Sequence, residues 1–344
     1  MKKNLLLFTA LIFLLIACTS SREGIFFSKP YEHKGQLLYW VNATPSLGGI
    51  YVGRADGSGS AKKILFNPYS ADAVAIDAEE KRLYYTNMTL LSRYDGNVMR
   101  ADIVGDQIEN ITPVVPNGMG LRTPKQLILD KKNRKIYFAD REGRRIYRVS
   151  MDGFENEDEL EVLVDFTSKP EDQHQFVGVA LDSNKSEFYW TDRLTNTIWR
   201  ASSNLGLTIT LKNLSQYATP ILTYEEGMLL ELDLDHVNHH LYFTDRGEGN
   251  EFFGETLPAG FVGRVDLNNL AAGYEVVVPN LLKDPVGLAI SPESGYLYFS
   301  TSEDGKIFRR PLQGGDVEQI HQGRPFCEGM YFVDWDKSSP IEEI

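Results

Sequence analysis

Alternating apolar and polar positions recur along this chain in short runs rich in tyrosine, phenylalanine and tryptophan, the pattern of β-strands. Six runs end in a tetrad of tyrosine, an aromatic residue, a small residue, and aspartate, asparagine or threonine. The tetrads begin at Tyr39, Tyr84, Tyr137, Tyr189, Tyr242 and Tyr298. Successive tyrosines lie 45 to 56 residues apart, which is the length of one four-stranded propeller blade.

Two further features keep a fixed spacing from the tetrads. Five apolar runs end seven residues before a tyrosine, at Asp77, Asp130, Asp182, Asp235 and Ser291. Downstream of each tetrad, a β-branched residue stands two positions before an arginine, as in Ile198 and Arg200. Three linked features in register predict an all-β fold, a six-bladed β-propeller of four-stranded blades.

The two ends of the repeat array are complementary. The first tetrad, at Tyr39, has no apolar run before it, and the run Glu328 to Val333 has no tetrad after it. Unpaired strand edges promote aggregation, so a closed ring is favoured. We therefore predict that the C-terminal run pairs with the N-terminal blade and closes the propeller.

These tetrads resemble the YWTD repeat, the class B repeat of the low-density lipoprotein receptor family, and Tyr189 to Asp192 matches it letter for letter. The resemblance covers residues 36–334 and implies a six-bladed propeller that acts as an interaction domain. Blade 1 (Val41 and Asn42), blade 2 (Asn87) and blade 6 (Thr301) depart from the pattern. Because a catalytic group is needed once and a blade contact six times, we interpret the tyrosines and the tetrad aspartates Asp140, Asp192 and Asp245 as structural.

The N-terminus has the pattern of an export signal. A basic start is followed by the apolar run Leu5 to Ile16, which is too short to span a bilayer comfortably. Cys18 follows Ala17 and precedes polar residues, as in a bacterial lipobox. We expect a signal peptide over 1–17, a lipidated Cys18 with a linker over 18–35, and the propeller over 36–344. This predicts attachment to a membrane of the bacterial envelope, with the outer membrane favoured because Thr19, not aspartate, follows the cysteine.

The chain is acidic, with a formal net charge of -13. Nucleic-acid affinity depends on lysine and arginine neutralising phosphates, so we expect no nucleic-acid partner. With Cys18 lipidated, Cys327 is the one remaining thiol, which excludes an intramolecular disulfide. We expect Cys327 to be a small buried side chain, and the protein to be a monomer.

Long loops are predicted at one end of the ring. The segment between a tetrad and the next strand is longest in blades 1, 2 and 5, and all three fall on the same face as the connections between blades. We call it the top face, and place the long connections Lys169 to Phe176 and Lys212 to Gly227 there as well. Loops on one face of a rigid scaffold favour a functional surface there.

Residues that enter the first strand of each blade should line the mouth of the central channel. These are Asp72, Lys125, His174, Gln175, Glu225, Glu226, Asp284 and Glu328. Carboxylates with one imidazole could hold a divalent cation such as calcium or act as acid and base, and a solvated acidic rim is the structural alternative. By contrast, the repeat places His239 and His240 in a hairpin turn on the opposite face.

Three functions remain open from the sequence, of which the weakest is a purely structural partner in an envelope complex. The first is a membrane-tethered binding propeller that presents its top face to a protein or glycan. The second is a metal-dependent hydrolase similar to the sugar lactonases of the gluconolactonase group, with one cation at the channel mouth activating water. Its ligand residues cannot be matched in this chain, and fold alone does not imply function.

Overall fold

Twenty-five strands make up the described part of the computed structural model, which covers residues 32–67, 69–88, 95–153, 159–225, 227–247, 259–281 and 284–337. Contacts divide the chain into Met1–Glu32 and His33–Ile344, and only Glu32 of the first unit is described. The leader and Cys18 lie outside the described residues and stay predictions.

The strands form six antiparallel sheets of four, one sheet per blade, with a fifth short strand added to the third. Blade 1 contains β1 (Gln36–Asn42), β2 (Gly49–Arg54) and β3 (Lys62–Phe66), and blade 2 contains β4 (Ala71–Asp77), β5 (Arg82–Asn87), β6 (Asn97–Val104) and β7 (Gln107–Val115). Blade 3 contains β8 (Pro124–Asp130), β9 (Lys135–Asp140), β10 (Arg145–Ser150) and β11 (Glu161–Asp165). Blade 4 contains β12 (Phe176–Asp182), β13 (Glu187–Asp192), β14 (Thr197–Ser202) and β16 (Ala218–Thr223). In sequence, β15 (Ile209–Thr210) lies between β14 and β16, but it pairs with blade 3. Blade 5 contains β17 (Leu229–Asp235), β18 (His240–Asp245), β19 (Gly260–Asp266) and β20 (Tyr274–Leu281), and blade 6 contains β21 (Pro285–Ser291), β22 (Tyr296–Thr301), β23 (Lys306–Pro311) and β24 (Glu318–Gln322), before the final strand β25 (Cys327–Asp334). Within a blade the strands are called a to d from the inside outward.

The ring closes through the last strand, as predicted. β25 is strand a of blade 1 and pairs antiparallel with β1, so that Leu37 faces Val333 and Tyr39 faces Tyr331. Trp335 then donates its indole N–H to the Tyr39 hydroxyl at 3.0 Å. Blade 1 is therefore assembled from both ends of the described chain, and the six-bladed all-β architecture is confirmed.

The five a–b turns of blades 2 to 6 and the segment that enters strand b of blade 1 share one backbone feature. The residue just before strand b has a positive φ in every blade, at Gly35, Lys81, Arg134, Ser186, His239 and Gly295. This left-handed conformation disfavours β-branched side chains. His239 and His240 therefore lie in a hairpin turn equivalent to those of the other blades, on the face opposite to the tetrad ends, as predicted.

Five of the six tetrad tyrosines pack in apolar clusters that join their own blade to the next, namely Tyr84, Tyr137, Tyr189, Tyr242 and Tyr298. All six are at most 2% exposed. Arg148 donates to the Tyr137 hydroxyl at 3.3 Å and to the Ser203 carbonyl of the next blade at 2.6 Å. Arg309 likewise contacts Ala55 of blade 1 at 3.4 Å. These positions belong to the scaffold.

The predicted placement of one long segment is wrong. Residues 212–217 do not run between blades 4 and 5 on the top face, because strand d of blade 4 begins only at Ala218. They belong to the c–d connection on the bottom face, which forms β15 and the short helix α1 (Leu214–Tyr217). β15 adds parallel to β11 of blade 3, and two pairing residues carry no sequence signal strong enough to reveal it.

Candidate functional site

Every inner strand contains a β-bulge at the same place, and the bulge aims one residue of each blade at the channel. The register against strand b skips two residues in blades 2 to 6 and shifts at the matching point in blade 1. The first skipped residue of each blade belongs to a set that we call the mouth ring, namely Asp72, Lys125, Val177, Leu230, Val286 and Glu328. The ring is charged in blades 1 to 3 and apolar in blades 4 to 6.

The charged half is tightly paired and buried. Lys125 Nζ lies 2.5 Å from Asp72 Oδ1, and both side chains are less than 10% exposed. Glu328 accepts a hydrogen bond from the Ser302 hydroxyl at 3.1 Å. Burial raises the pKa of Glu328 to about 7, with Lys125 opposing the shift and the negative charge of Asp72 adding to it. Three charged groups thus share this side of the mouth, and the ammonium neutralises Asp72.

The apolar half forms a small cluster of its own. Val177, Leu230 and Val286 come from three different blades and pack together, with Met228 against them. These three residues are neither close in sequence nor on paired strands, since each belongs to a different sheet. The mouth ring therefore combines a buried apolar side, against which the half-buried Met228 packs, with a charged side.

Polar side chains bridge the blades just below the mouth ring. Gln126 of blade 3 accepts the backbone N–H groups of Val179 at 2.9 Å and Leu232 at 3.0 Å, and donates to the Leu232 carbonyl. Glu231 accepts the N–H of Leu288 at 3.0 Å, and burial followed by the charge of Asp72 raises its pKa well above the usual range. These bridges hold the inner strands at a fixed separation beneath the site.

The third residue of the tetrad connects each blade to its neighbour. The Thr191 hydroxyl accepts the N–H of Gly178 at 2.7 Å and donates to the Leu230 carbonyl of blade 5 at 2.8 Å. The hydroxyls of Thr86, Thr244 and Ser300 likewise donate to a backbone carbonyl of the neighbouring blade. Sequence analysis missed this role, although a hydroxyl residue in four of six tetrads was the available signal.

The tetrad aspartates hold the connection that enters strand a. Asp140 accepts the N–H groups of Arg122 at 3.0 Å and Thr123 at 2.7 Å. Asp192 accepts from Gln175 N and lies 2.6 Å from His174 Nδ1. His174 also packs edge-on against Phe166. It is therefore part of the scaffold, not of the channel mouth.

The remaining candidate residues divide between the mouth and the surface. Gln175 and Asp284 lie two positions before the ring residues of blades 4 and 6, and Asp284 pairs with Arg246 at 2.6 Å. Glu225 is exposed to solvent, and Glu226 lies outside the described residues. Cys327 is buried, and burial raises its thiol pKa to about 12.

A row of arginines occupies the position directly after the tetrad. This position carries Arg141, Arg193 and Arg246 in blades 3, 4 and 5. In each case the backbone N–H of the arginine donates to the backbone carbonyl of the residue two positions before the mouth-ring residue of the same blade. The three arginine side chains therefore start at equivalent places. Sequence analysis missed this row, although the same residue type in three consecutive repeats was visible.

The described residues of the channel mouth do not assemble a metal centre. Within the described ranges, no group of three or more histidine, cysteine, aspartate or glutamate side chains could hold a metal ion. The ammonium of Lys125 already occupies Asp72 and lies close enough to lower the pKa of Glu328. A second cation there would be repelled.

Comparison with known proteins agrees with the repeat. A protein of Pyricularia oryzae described as low-density lipoprotein receptor-related protein 1 is 26% identical over 289 residues, which cover 81% of this chain and 90% of that protein. This chain is homologous to a low-density lipoprotein receptor-related protein. No protein-family model matches the chain.

Two further similarities bear on the propeller. A 3-hydroxyacyl-CoA dehydrogenase-like protein of Cochliobolus heterostrophus is 26% identical over 271 residues, covering 75% of this chain but only 55% of that protein. The chain thus spans about half the length of that relative. The nidogen–laminin complex contains a chain that superposes with a TM-score of 0.64 at 17% identity, covering 87% of this chain and 99% of that one. This last likeness shows the fold.

Proposed function

We propose that this chain is a binding propeller whose top face receives a protein partner at the mouth ring. One observation carries the proposal, namely that the half-apolar, half-charged mouth lies at the end of the scaffold where strands b end and strands c begin, the end from which the b–c connections start. The half-buried Met228 supplies apolar contact area there, over the buried Val177 and Leu230, while Glu328 supplies charge for orientation. Interfaces use the same combination of an apolar centre and polar surroundings.

The similar proteins support a protein ligand in preference to a glycan. One relative is a low-density lipoprotein receptor-related protein, and the similar solved structure is that of nidogen in complex with laminin. The hydrolase alternative has less support, because Lys125 pairs with the carboxylate that would have to bind a cation. The described residues accordingly favour recognition over metal-dependent hydrolysis.

We also propose that Cys18 is lipidated and anchors the propeller in the bacterial envelope, at the outer membrane. The lipobox-like sequence around Cys18 supports this. Two or three acyl chains would give stable anchoring, because each buried CH₂ contributes about 0.8 kcal/mol. None of the helices among the described residues has the length and hydropathy to cross a bilayer. Incorporation of radiolabelled palmitate into the full chain, absent in Cys18→Ala, would support the anchor.

Site-specific photo-crosslinking in cells tests the binding face. A crosslinking residue replaces Leu47, Leu194 or Phe326 on the top face, and Val104, Val237 or Val317 on the bottom face as matched controls, since all six are exposed. We expect one partner protein to be captured from the top positions and to bind the purified chain. Capture from the bottom positions alone, or of glycan without protein, would contradict the proposal.

A further inference from the structure

The arginine row at the channel mouth contains one charge that has no carboxylate of its own. Arg141 Nε lies 2.6 Å from Glu142, and Arg246 Nη2 lies 2.6 Å from Asp284. Arg193, between them in blade 4, makes no side-chain hydrogen bond or ion pair with any residue of the described ranges, and its Nε is buried. Buried charges are normally paired, so this arrangement requires an explanation.

Other polar atoms at the same mouth also lack protein partners. Gln175 Oε1, Asp284 Oδ1 and Arg246 Nε are buried without a hydrogen bond among the described residues. Gln175 is adjacent to Arg193, whose backbone N–H it accepts at 2.9 Å. Most buried polar atoms in proteins are hydrogen-bonded, and exceptions that cluster in one place mark functional positions. Here the cluster lies on blades 4 to 6, beside the apolar half of the mouth ring.

The electrostatic environment of Arg193 favours an incoming anion. Burial is the largest cause that lowers the pKa of Arg193 to about 10, and the neighbouring cations Arg141 and Arg246 act in the same direction, while the charges of Glu142 and Asp284 oppose it. The guanidinium stays protonated at neutral pH, so its positive charge is destabilised by reduced hydration and by the two neighbouring cations. A ligand anion would relieve this destabilisation, because it would supply a counter-charge to a guanidinium that has already lost part of its hydration in the free protein.

The chemistry of the mouth selects a carboxylate over a phosphate. Among the described residues the row has one unpaired cation, whereas the Glu328 carboxyl lies on the opposite side of the ring and, when ionised, would repel a dianion more strongly than a monoanion. A planar monovalent carboxylate accepts two parallel hydrogen bonds from a guanidinium. Arg246 Nη1 also lies 4.0 Å from Met228 Sδ, which packs on the apolar cluster, so an apolar group beside the carboxylate would find a contact surface.

We propose that Arg193 binds a carboxylate of the partner protein, supplied by an aspartate or glutamate side chain, while an adjacent apolar side chain of the partner packs on the half-buried Met228. This inference rests on the proposed function and specifies the chemistry of its ligand. Arg141 and Arg246 are positioning residues that keep the unpaired guanidinium between two fixed ion pairs.

Saturation-transfer NMR with defined probes tests the carboxylate site on the soluble chain that starts at Ser20. N-acetyl-glutamyl-leucine amide should bind with a Kd of about 1 mM, and its glutaminyl analogue about tenfold more weakly or not at all. Inorganic phosphate at equal concentration should not displace the glutamyl probe. Equal binding of both peptides, displacement by phosphate, or no binding of the glutamyl peptide would overturn the proposal.

Stability measurements on two variants separate a binding role from a structural one. Arg193→Met removes an unpaired buried charge, so we expect it to abolish glutamyl-peptide binding and to raise the melting temperature. Arg246→Met leaves Asp284 without its partner, and we expect a lower melting temperature. A destabilised Arg193→Met would show that the arginine is a scaffold residue. If top-face crosslinking persists while this variant binds the partner unchanged, the carboxylate proposal fails and the binding propeller stands.

Discussion

Lys125 Nζ and Asp72 Oδ1 lie 2.5 Å apart at the channel mouth, with both side chains almost fully buried. The pair joins the inner strands of blades 2 and 3, in a region that also contains Glu231 and Glu328. One ammonium therefore balances a group of carboxylates in a poorly hydrated place. The net charge of the mouth depends on it.

Removing this lysine should destabilise the propeller strongly. Lys125→Met leaves Asp72 charged and unpaired, which we expect to cost about 3–5 kcal/mol in the free energy of unfolding. The double variant Asp72→Asn/Lys125→Met removes both charges and should recover most of that loss. Urea denaturation of the soluble chain measures both. A Lys125→Met variant as stable as the wild type would show that the pair contributes nothing.

The pH dependence of stability should have an unusual sign. Burial raises the pKa of Glu328 and of Asp233 to about 7, so the folded chain binds more protons than the unfolded chain between about pH 4 and pH 7. This contribution is fully present below the unfolded pKa and is lost as the pH rises through 7. We expect the unfolding free energy to fall by roughly 2–3 kcal/mol per group, or about 5 kcal/mol for the two groups together, from pH 5 to pH 7.5.

Glutamine at position 328 tests the source of that slope. Glu328→Gln keeps the acceptor for the Ser302 hydroxyl but cannot ionise, so the decline of stability with pH should be shallower. Glu293→Gln, an exposed glutamate of the a–b turn in blade 6, is the matched control and should retain the full slope. Parallel slopes in the wild type and Glu328→Gln would contradict this assignment.

The tetrad hydroxyl should contribute to every blade junction that has one. Thr191→Val keeps the shape but leaves the Gly178 N–H and the Leu230 carbonyl without this partner, which we expect to cost about 1–3 kcal/mol. Thr219→Val on the exposed edge strand should change stability by less than about 0.5 kcal/mol. Thermal unfolding followed by circular dichroism compares them, and equal effects would dismiss the junction role.

Closure through β25 should decide whether the ring folds at all. A chain that ends at Pro325 loses the whole strand, exposing the edge of β1 and the packing surface of Tyr39. We expect no cooperative thermal transition and rapid proteolysis of this chain. A chain that ends at Lys337 retains β25 and should unfold like the wild type. Cooperative unfolding of the shorter chain would show that closure is dispensable.

Much of the scaffold was predictable because its signals are periodic. The spacing of Tyr39, Tyr84 and the later tyrosines located every blade, and the unpaired run at the C-terminus located the closure. The segment 212–217 was misplaced because strand d of blade 4 has a weak pattern, with Pro220 at its centre. Whether such a weakly patterned segment forms a strand depends on the neighbouring strand with which it pairs.

The sequence alone determined the blade count, the order of strands and the faces on which the tetrads and histidine turns lie, since those follow from repeat length and strand direction. Only the tertiary structure decided which side chains converge. Asp72 meets Lys125 because bulges in two separate strands turn both toward the channel, and Arg193 has no ion-pair partner among the described residues because Glu142 and Asp284 pair with its neighbours. Such pairings depend on the distances between blades, which the spacing of residues along the sequence does not specify.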